Sequence, residues 1–130
     1  MFARILRFDL EKYRYPQGHQ WTRSFTIFDE SDVQSVIKEI VIKKLNLDDK
    51  KFQPRQVRYA ISNAKNQGQD PDEFERSEPN YRGRAIAEVY RQYQAALAGN
   101  NALDFDDLIR LPVELFQQNE QVLNYWQIGR

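Results

Sequence analysis

Residues 100–111, NNALDFDDLIRL, place Asp104, Asp106 and Asp107 within four positions of one another, beside apolar residues. Carboxylates this close together usually either bind a cation or a substrate proton, or satisfy backbone amides where a helix begins. Asp104 directly precedes an apolar pattern of helical spacing, and Asp107 follows three positions later, which is the arrangement of a capping pair. We therefore expect a helix to begin here, with the acids at its N-terminus and Phe105 in the core.

The rest of the chain shows the same helical spacing. Apolar residues recur mostly three and four positions apart, and only SFTIF, residues 24–28, alternates as a strand would. Asp29 and Asp32 form a second plausible capping pair, ahead of another apolar stripe. The pattern predicts an all-α fold, a compact bundle of about five to seven helices, in a single domain over residues 1–130.

Proline and glycine mark several helix ends. Pro54 lies where a helix can begin without needing its amide donor, and Gly99 and Asn100 are residues typical of a helix C-terminus. Pro112 falls inside the helix expected after Asp104, so we expect a kink or an early end there.

Composition excludes several classes of protein. The chain has 130 residues, 41% of them hydrophobic and 29% charged, which is too apolar for a disordered chain and too charged for a membrane span. It has no cysteine, so a disulfide framework, a thiolate metal site and a cysteine nucleophile are excluded. The N-terminus shows no long apolar core with a cleavage site, so we expect a cytoplasmic protein with no membrane partner.

Two further kinds of catalytic site find little support. His19 is the single histidine, in an expected loop, and we interpret it as a solvated surface group. The five glycines never form a phosphate-binding loop followed by Lys and Ser or Thr, so a nucleotide site of that type is excluded.

A basic run in the middle of the chain is the better candidate for a binding site. Residues 43–66 carry seven basic residues against two acidic ones, a net charge of +5 in a chain that is neutral overall. The candidates for phosphate contacts are Lys50, Lys51, Arg55, Arg58 and Lys65. The two lysines precede a helix and the other three recur along it at helical spacing, so we expect one solvent-facing side. A solvated helix face that binds nothing accounts for the pattern about equally well.

Aromatic residues offer a weaker indication. Tyr90, Tyr93, Tyr125 and Trp126 could stack on nucleobases. At helical spacing such residues more often belong to a core, so we give them little weight.

Four stretches together resemble the UvrD/PcrA/Rep group of superfamily 1 DNA helicases. They are RILRFDL (residues 4–10), LDDKKFQPRQVRYAISNAKN (47–66), AEVYRQYQAALAGNNALDFDDLIRL (87–111) and VLNYWQ (122–127). More narrowly, they resemble the helical accessory subdomain called 1B, which is inserted in the first motor domain. The resemblance covers nearly the whole chain.

The resemblance implies DNA binding without catalysis. In such relatives the subdomain contacts duplex or junction DNA, and a lysine of the KKF motif, matched here by Lys50 and Lys51, reaches the phosphate backbone. ATP and magnesium belong to the remaining motor domains, which are the other expected partners, so we expect no cofactor in this chain. If four or five basic residues meet phosphates, the log-log slope of affinity against salt should be about −4.

Two alternatives remain. The chain could be a helical protein-interaction module without nucleic-acid binding, with Tyr125, Trp126, Ile5 and Leu6 as an exposed surface that also allows self-association. Metal-dependent hydrolysis through the three aspartates is the least favoured, because a metal site would need further ligands from elsewhere.

Overall fold

The computed structural model describes residues 2–10, 21–121 and 124, and within them the chain is mainly helical. The α-helices are α1 (Phe2–Asp9), α2 (Glu30–Glu39), α3 (Pro54–Asn66), α4 (Pro71–Ser77), α5 (Tyr81–Gly99) and α6 (Phe105–Gln118). A π-helical turn, Ile40–Lys44, extends α2, and two short strands, β1 (Thr26–Ile27) and β2 (Ala102–Leu103), pair with each other. The predicted all-α class is confirmed.

Most predicted helix ends are confirmed. Asp29 and Asp104 are the N-caps of α2 and α6, and each forms a reciprocal capping box with the aspartate three residues later. α3 begins at Pro54, and Asn100 is the C-cap of α5. α6 does not end at Pro112, because the buried side chains of the surrounding turns hold the helix together where one backbone hydrogen bond is missing.

The core lies between the helices, with α5 packed against α2, α3 and α4, and α1 packed against α6. Its fully buried apolar side chains include Val33, Ile37, Val57, Ile61, Val89, Tyr93, Leu97, Leu111 and Leu115. Ile5 and Leu6 are buried as well, so the expectation that they form an exposed docking surface is wrong. Phe105 was expected in the core, but it is 48% exposed, because the first residue of α6 points away from the helices that cover Leu111 and Leu115.

The small sheet determines how two helices start. β1 and β2 are parallel, with Thr26 opposite Ala102 and Ile27 opposite Leu103. Each strand is followed almost immediately by an N-capping aspartate, so parallel pairing places the N-termini of α2 and α6 next to each other. The indole nitrogen of buried Trp21 donates to the carbonyl oxygen of Ala102 at 2.6 Å and ties the preceding segment to the same place.

Three of the residues singled out from the sequence cannot be placed in the fold. His19, Tyr125 and Trp126 lie outside the described residues. None of the helices that the structure describes is both long and apolar enough to span a membrane.

Candidate nucleic-acid interface

The five predicted basic residues fall into two groups. Lys50, Lys51 and Arg55 are exposed, whereas Arg58 and Lys65 are buried, with 6% and 1% of their surface accessible. The structure therefore brings three of the five to one part of the surface, at the turn before α3 and its first helical turn.

Asp48 builds the turn that carries the two lysines. Its carboxylate accepts a hydrogen bond from the Lys50 amide at 2.9 Å, and its carbonyl accepts from the amides of Lys51 and Phe52 at 3.1 and 2.8 Å. An aspartate that bonds the backbone two residues later fixes a tight turn locally. The backbone of both lysines is thus held while their side chains extend into solvent.

Phe52 and Arg82 anchor this turn to the fold. The Phe52 ring is 3% exposed, and the Arg82 guanidinium lies 5.5 Å from its centroid. Arg82 also donates to the carbonyl oxygen of Lys51 at 2.8 Å. Of the motif KKF, the phenylalanine therefore anchors the turn in the core, and the lysines are presented outward.

Arg55 extends this basic surface onto α3. Its side chain, like those of Lys50 and Lys51, makes no hydrogen bond or ion pair with any residue that the structure describes. These three cations are therefore available to a polyanion, and we call them the exposed basic triad.

The prediction that Arg58 and Lys65 face solvent is wrong. The ammonium nitrogen of Lys65 lies 2.9 Å from Asp104 Oδ2 and 2.9 Å from Asp107 Oδ1, and it donates to Gln94 Oε1 at 3.1 Å. All three of its donors are accounted for inside the protein. Lys65 holds the start of α6 against α3 and α5.

Arg58 links the starts of two helices. Its guanidinium donates to Glu30, the first residue of α2, at 3.0 Å, and to the Asp104 carboxylate at 3.4 Å. The same group lies 3.1 Å from Asp106 Oδ2. Arg58 therefore binds the two N-termini that the β1–β2 pairing brings together, and we call Arg58, Lys65, Tyr93, Asp104 and Asp107 the buried ionic cluster.

Ionisation inside this cluster is strongly shifted. Burial alone would raise the pKa of Asp104, but Lys65 and the Tyr93 hydroxyl, which donates to Oδ2 at 2.5 Å, hold it well below its usual range. Burial and the nearby charge of Asp104 raise the pKa of Asp107. Burial and the Asp104 charge also raise the pKa of Tyr93, so its hydroxyl stays protonated as a donor.

These contacts answer the question posed by the three aspartates. Asp104 Oδ1 accepts from the Asp107 amide at 2.9 Å, and Oδ2 faces Lys65, Arg58 and Tyr93. Within the described part of the chain, no three His, Cys, Asp or Glu residues converge as metal ligands. The segment caps a helix, and its carboxylates pair with the buried cations Lys65 and Arg58.

Helical spacing explains why the prediction placed the buried and the exposed basic residues on one face. Arg55 and Lys65 lie about 80° apart around α3, which is close enough to read as one face. Lys65 and Arg58, however, lie on the side that adjoins the buried residue Ile61, and this edge faces α6. Whether that edge is solvated depends on a neighbour that is distant in sequence.

Sequence reasoning also missed Tyr59 and the groove beside it. Tyr59 is 68% exposed on α3, one turn after Arg55, next to an open groove between α3, α4 and the start of α5. Helical spacing places Tyr59 opposite the stripe of Val57 and Ile61, which indicated that it would be exposed, but the prediction considered only the basic residues on that side.

A family model and individual proteins both match this chain to UvrD-type helicases. The family model described as UvrD/REP helicase N-terminal domain matches residues 2–128. The ATP-dependent DNA helicase PcrA of Staphylococcus aureus (strain Mu50) is 42% identical over 127 residues, which cover 98% of this chain and 16% of that protein. The same helicase of Staphylococcus epidermidis (strain RP62A) is 40% identical over the same span. The chain thus spans 16% of the length of these relatives.

Proposed function

This chain belongs to the UvrD/REP helicase N-terminal domain family, and on that premise we propose that it is the DNA-contacting 1B accessory subdomain of a cytoplasmic superfamily 1 DNA helicase. Its task is to hold duplex phosphates near the unwinding junction. ATP hydrolysis with magnesium is the work of the remaining motor domains, and this part of the protein contributes no catalytic residue.

The observation that carries the proposal is the contrast between the two groups of cations. The buried ionic cluster uses Arg58 and Lys65 internally, whereas Lys50, Lys51 and Arg55 have no acidic partner among the described residues. A turn that is fixed by Asp48 and Phe52 holds the lysines in place, so little conformational freedom of the backbone is lost on binding. Phosphate contacts of this kind position a duplex without reading its sequence.

A second surface fits the motor domains as partner. Phe105, Ile109 and Val113 recur every fourth residue on α6 and are 48%, 60% and 51% exposed. Such a stripe is suited to pack against another domain, and in isolation it would favour self-association. Sedimentation of wild type and Ile109→Glu at two protein concentrations tests whether this stripe drives self-association. A concentration-dependent mass that the substitution abolishes supports self-association through the stripe. The same monomeric mass for both proteins at both concentrations contradicts it.

The experiment that tests the DNA role compares two pairs of lysines. Replacing Lys50 and Lys51 by Ala should lower affinity for a hairpin duplex by about fivefold to tenfold, because two exposed charge contacts are lost. The readout is fluorescence anisotropy of a labelled hairpin at low salt.

The matched control is the replacement of Lys43 and Lys44 by Ala, which removes the same charge from two exposed lysines at the end of the π-helical turn. This variant should bind the hairpin nearly as well as wild type. Equal losses in both double variants would mean that diffuse charge, and not the turn at Lys50 and Lys51, attracts DNA.

A further inference from the structure

An open groove of about 790 Å³ lies between α3, α4 and the N-terminus of α5. This volume is within the range of about 300–1,000 Å³ that is usual for small-molecule and cofactor sites. Apolar side chains contribute to its lining, among them Ala60, Phe74 and Ile86. Arg55, the last member of the exposed basic triad, also lines it, so the groove adjoins the surface proposed to bind duplex phosphates.

One wall of the groove carries unused hydrogen-bonding groups. Gln56, Asn63 and Gln67 are exposed on α3, and their side-chain amides bond to none of the residues that the structure describes. Each amide offers both donors and acceptors, as the edges of nucleobases do. Tyr59 stands among them with 68% of its surface accessible and with no aromatic or cationic partner in the described chain.

We propose that this groove binds a single-stranded segment of nucleic acid, with Tyr59 stacking on a base, the α3 amides bonding to base edges, and Arg55 contacting a phosphate. The inference rests on the proposed function in that the duplex held by Lys50 and Lys51 brings the unpaired strand to the groove. Stacking on an exposed aromatic ring beside a positive charge is a common way to bind single strands without reading their sequence.

The charge and chemistry of the groove favour nucleic acid over a peptide. Arg55 supplies a cation at the side of the +5 segment, and Glu78 is the one acidic residue among the lining residues, on the wall opposite α3. An acidic peptide would use Arg55, but it would have no need of the Tyr59 ring. The dependence on Tyr59 therefore separates the two ligands.

The experiment titrates the protein with a short thymidine homopolymer and with a blunt hairpin duplex, followed by amide NMR shifts. Tyr59→Ala should weaken binding of the homopolymer by about fivefold or more. It should leave hairpin binding and the melting temperature nearly unchanged, because 68% of the Tyr59 surface is exposed to solvent. Tyr81→Ala is the control outside the groove, since Tyr81 is 67% exposed and is absent from the lining of the groove. Because the Tyr81 ring packs edge-on against Phe52 at 6.1 Å, the melting temperature of this variant is measured as well.

Two further probes distinguish the ligand. An abasic strand of the same length should bind wild type and Tyr59→Ala equally, because it offers phosphates without a base to stack on. Short polyglutamate should not compete with the homopolymer for the α3 amides. Equal losses in both tyrosine variants, abasic binding that depends on Tyr59, or full competition by polyglutamate would each overturn the inference.

The outcomes separate this inference from the proposed function. If Lys50 and Lys51 prove necessary for hairpin binding while Tyr59 is irrelevant to the homopolymer, the groove assignment fails and the duplex role stands. If the homopolymer depends on Tyr59 while the hairpin ignores both lysines, the groove assignment stands and the duplex role fails.

Discussion

Asp104 shows how one side chain can connect several parts of this fold. It is fully buried, and it caps α6. Its Oδ2 atom accepts hydrogen bonds from Lys65 and Arg58 of α3 and from Tyr93 of α5. A buried carboxylate with this many donors is stabilised only while all of them are present, because each loss leaves a charge without compensation.

Replacing Asp104 by Asn should lower the free energy of unfolding at neutral pH by about 3–5 kcal/mol, since Lys65 then loses one of its two buried carboxylates. Because the pKa of Asp104 is lowered in the fold, its contribution is complete above its unfolded pKa of about 4. The contribution is lost as the pH falls through the folded pKa. Urea unfolding from pH 7 down to pH 2 should show the free energies of unfolding of wild type and Asp104→Asn converging. A difference between them that stays constant over this range would contradict this account.

A second residue-level prediction contrasts two cations of the same helix. Lys65→Met should destabilise the protein by about 3–5 kcal/mol, because it leaves Asp104 and Asp107 facing an apolar group. Arg55→Ala should change stability by less than about 0.5 kcal/mol and instead weaken binding of the hairpin duplex. Thermal unfolding together with anisotropy measures both effects, and similar melting temperatures for the two variants would show that the burial of Lys65 has no energetic weight.

At the scale of elements, close packing between the α4–α5 connection and α5 depends on a glycine. A Cβ atom added at Gly83 would lie 1.9 Å from the carbonyl oxygen of Glu78, so the backbone would have to move. Gly83→Ala should therefore destabilise the protein by about 1–3 kcal/mol, despite the better helix propensity of alanine.

Gly99→Ala is its control, because a Cβ there meets no atom within 4 Å at the end of the same helix. This variant should be neutral or slightly more stable. Melting temperatures decide the matter, and equal values for the two alanine variants would mean that the connection adjusts without cost.

The elements also show what the sequence could and could not predict. The capping boxes at Asp29 and Asp104 were predictable, because a cap depends on residues only three positions apart. The pairing of β1 with β2 was not, because it joins two-residue strands about seventy-five positions apart, too short to give a strand pattern. Since that pairing places the two caps beside Arg58, the burial of Arg58 could not be predicted from the sequence of α3 alone.

At the scale of the whole molecule, the chain has zero net charge, but its basic residues serve two different roles. Lys65 and Arg58, at the edge of α3 that faces α6, form ion pairs that stabilise the fold. The exposed basic triad, in the turn before α3 and in the first turn of α3, remains open to solvent. The sequence predicted the location of the basic surface through the turn lysines and through the family resemblance. It overestimated the extent of that surface, because helical spacing alone does not reveal which side a distant helix covers.

The salt dependence of duplex binding tests most directly the claim that the exposed basic triad contacts DNA phosphates. With Arg58 and Lys65 removed from the set, three contacts remain, and the log-log slope of affinity against salt should be about −2.7 for wild type. Replacing both Lys50 and Lys51 by Ala should reduce the slope to about −0.9. A slope that the double substitution leaves unchanged would contradict the claim.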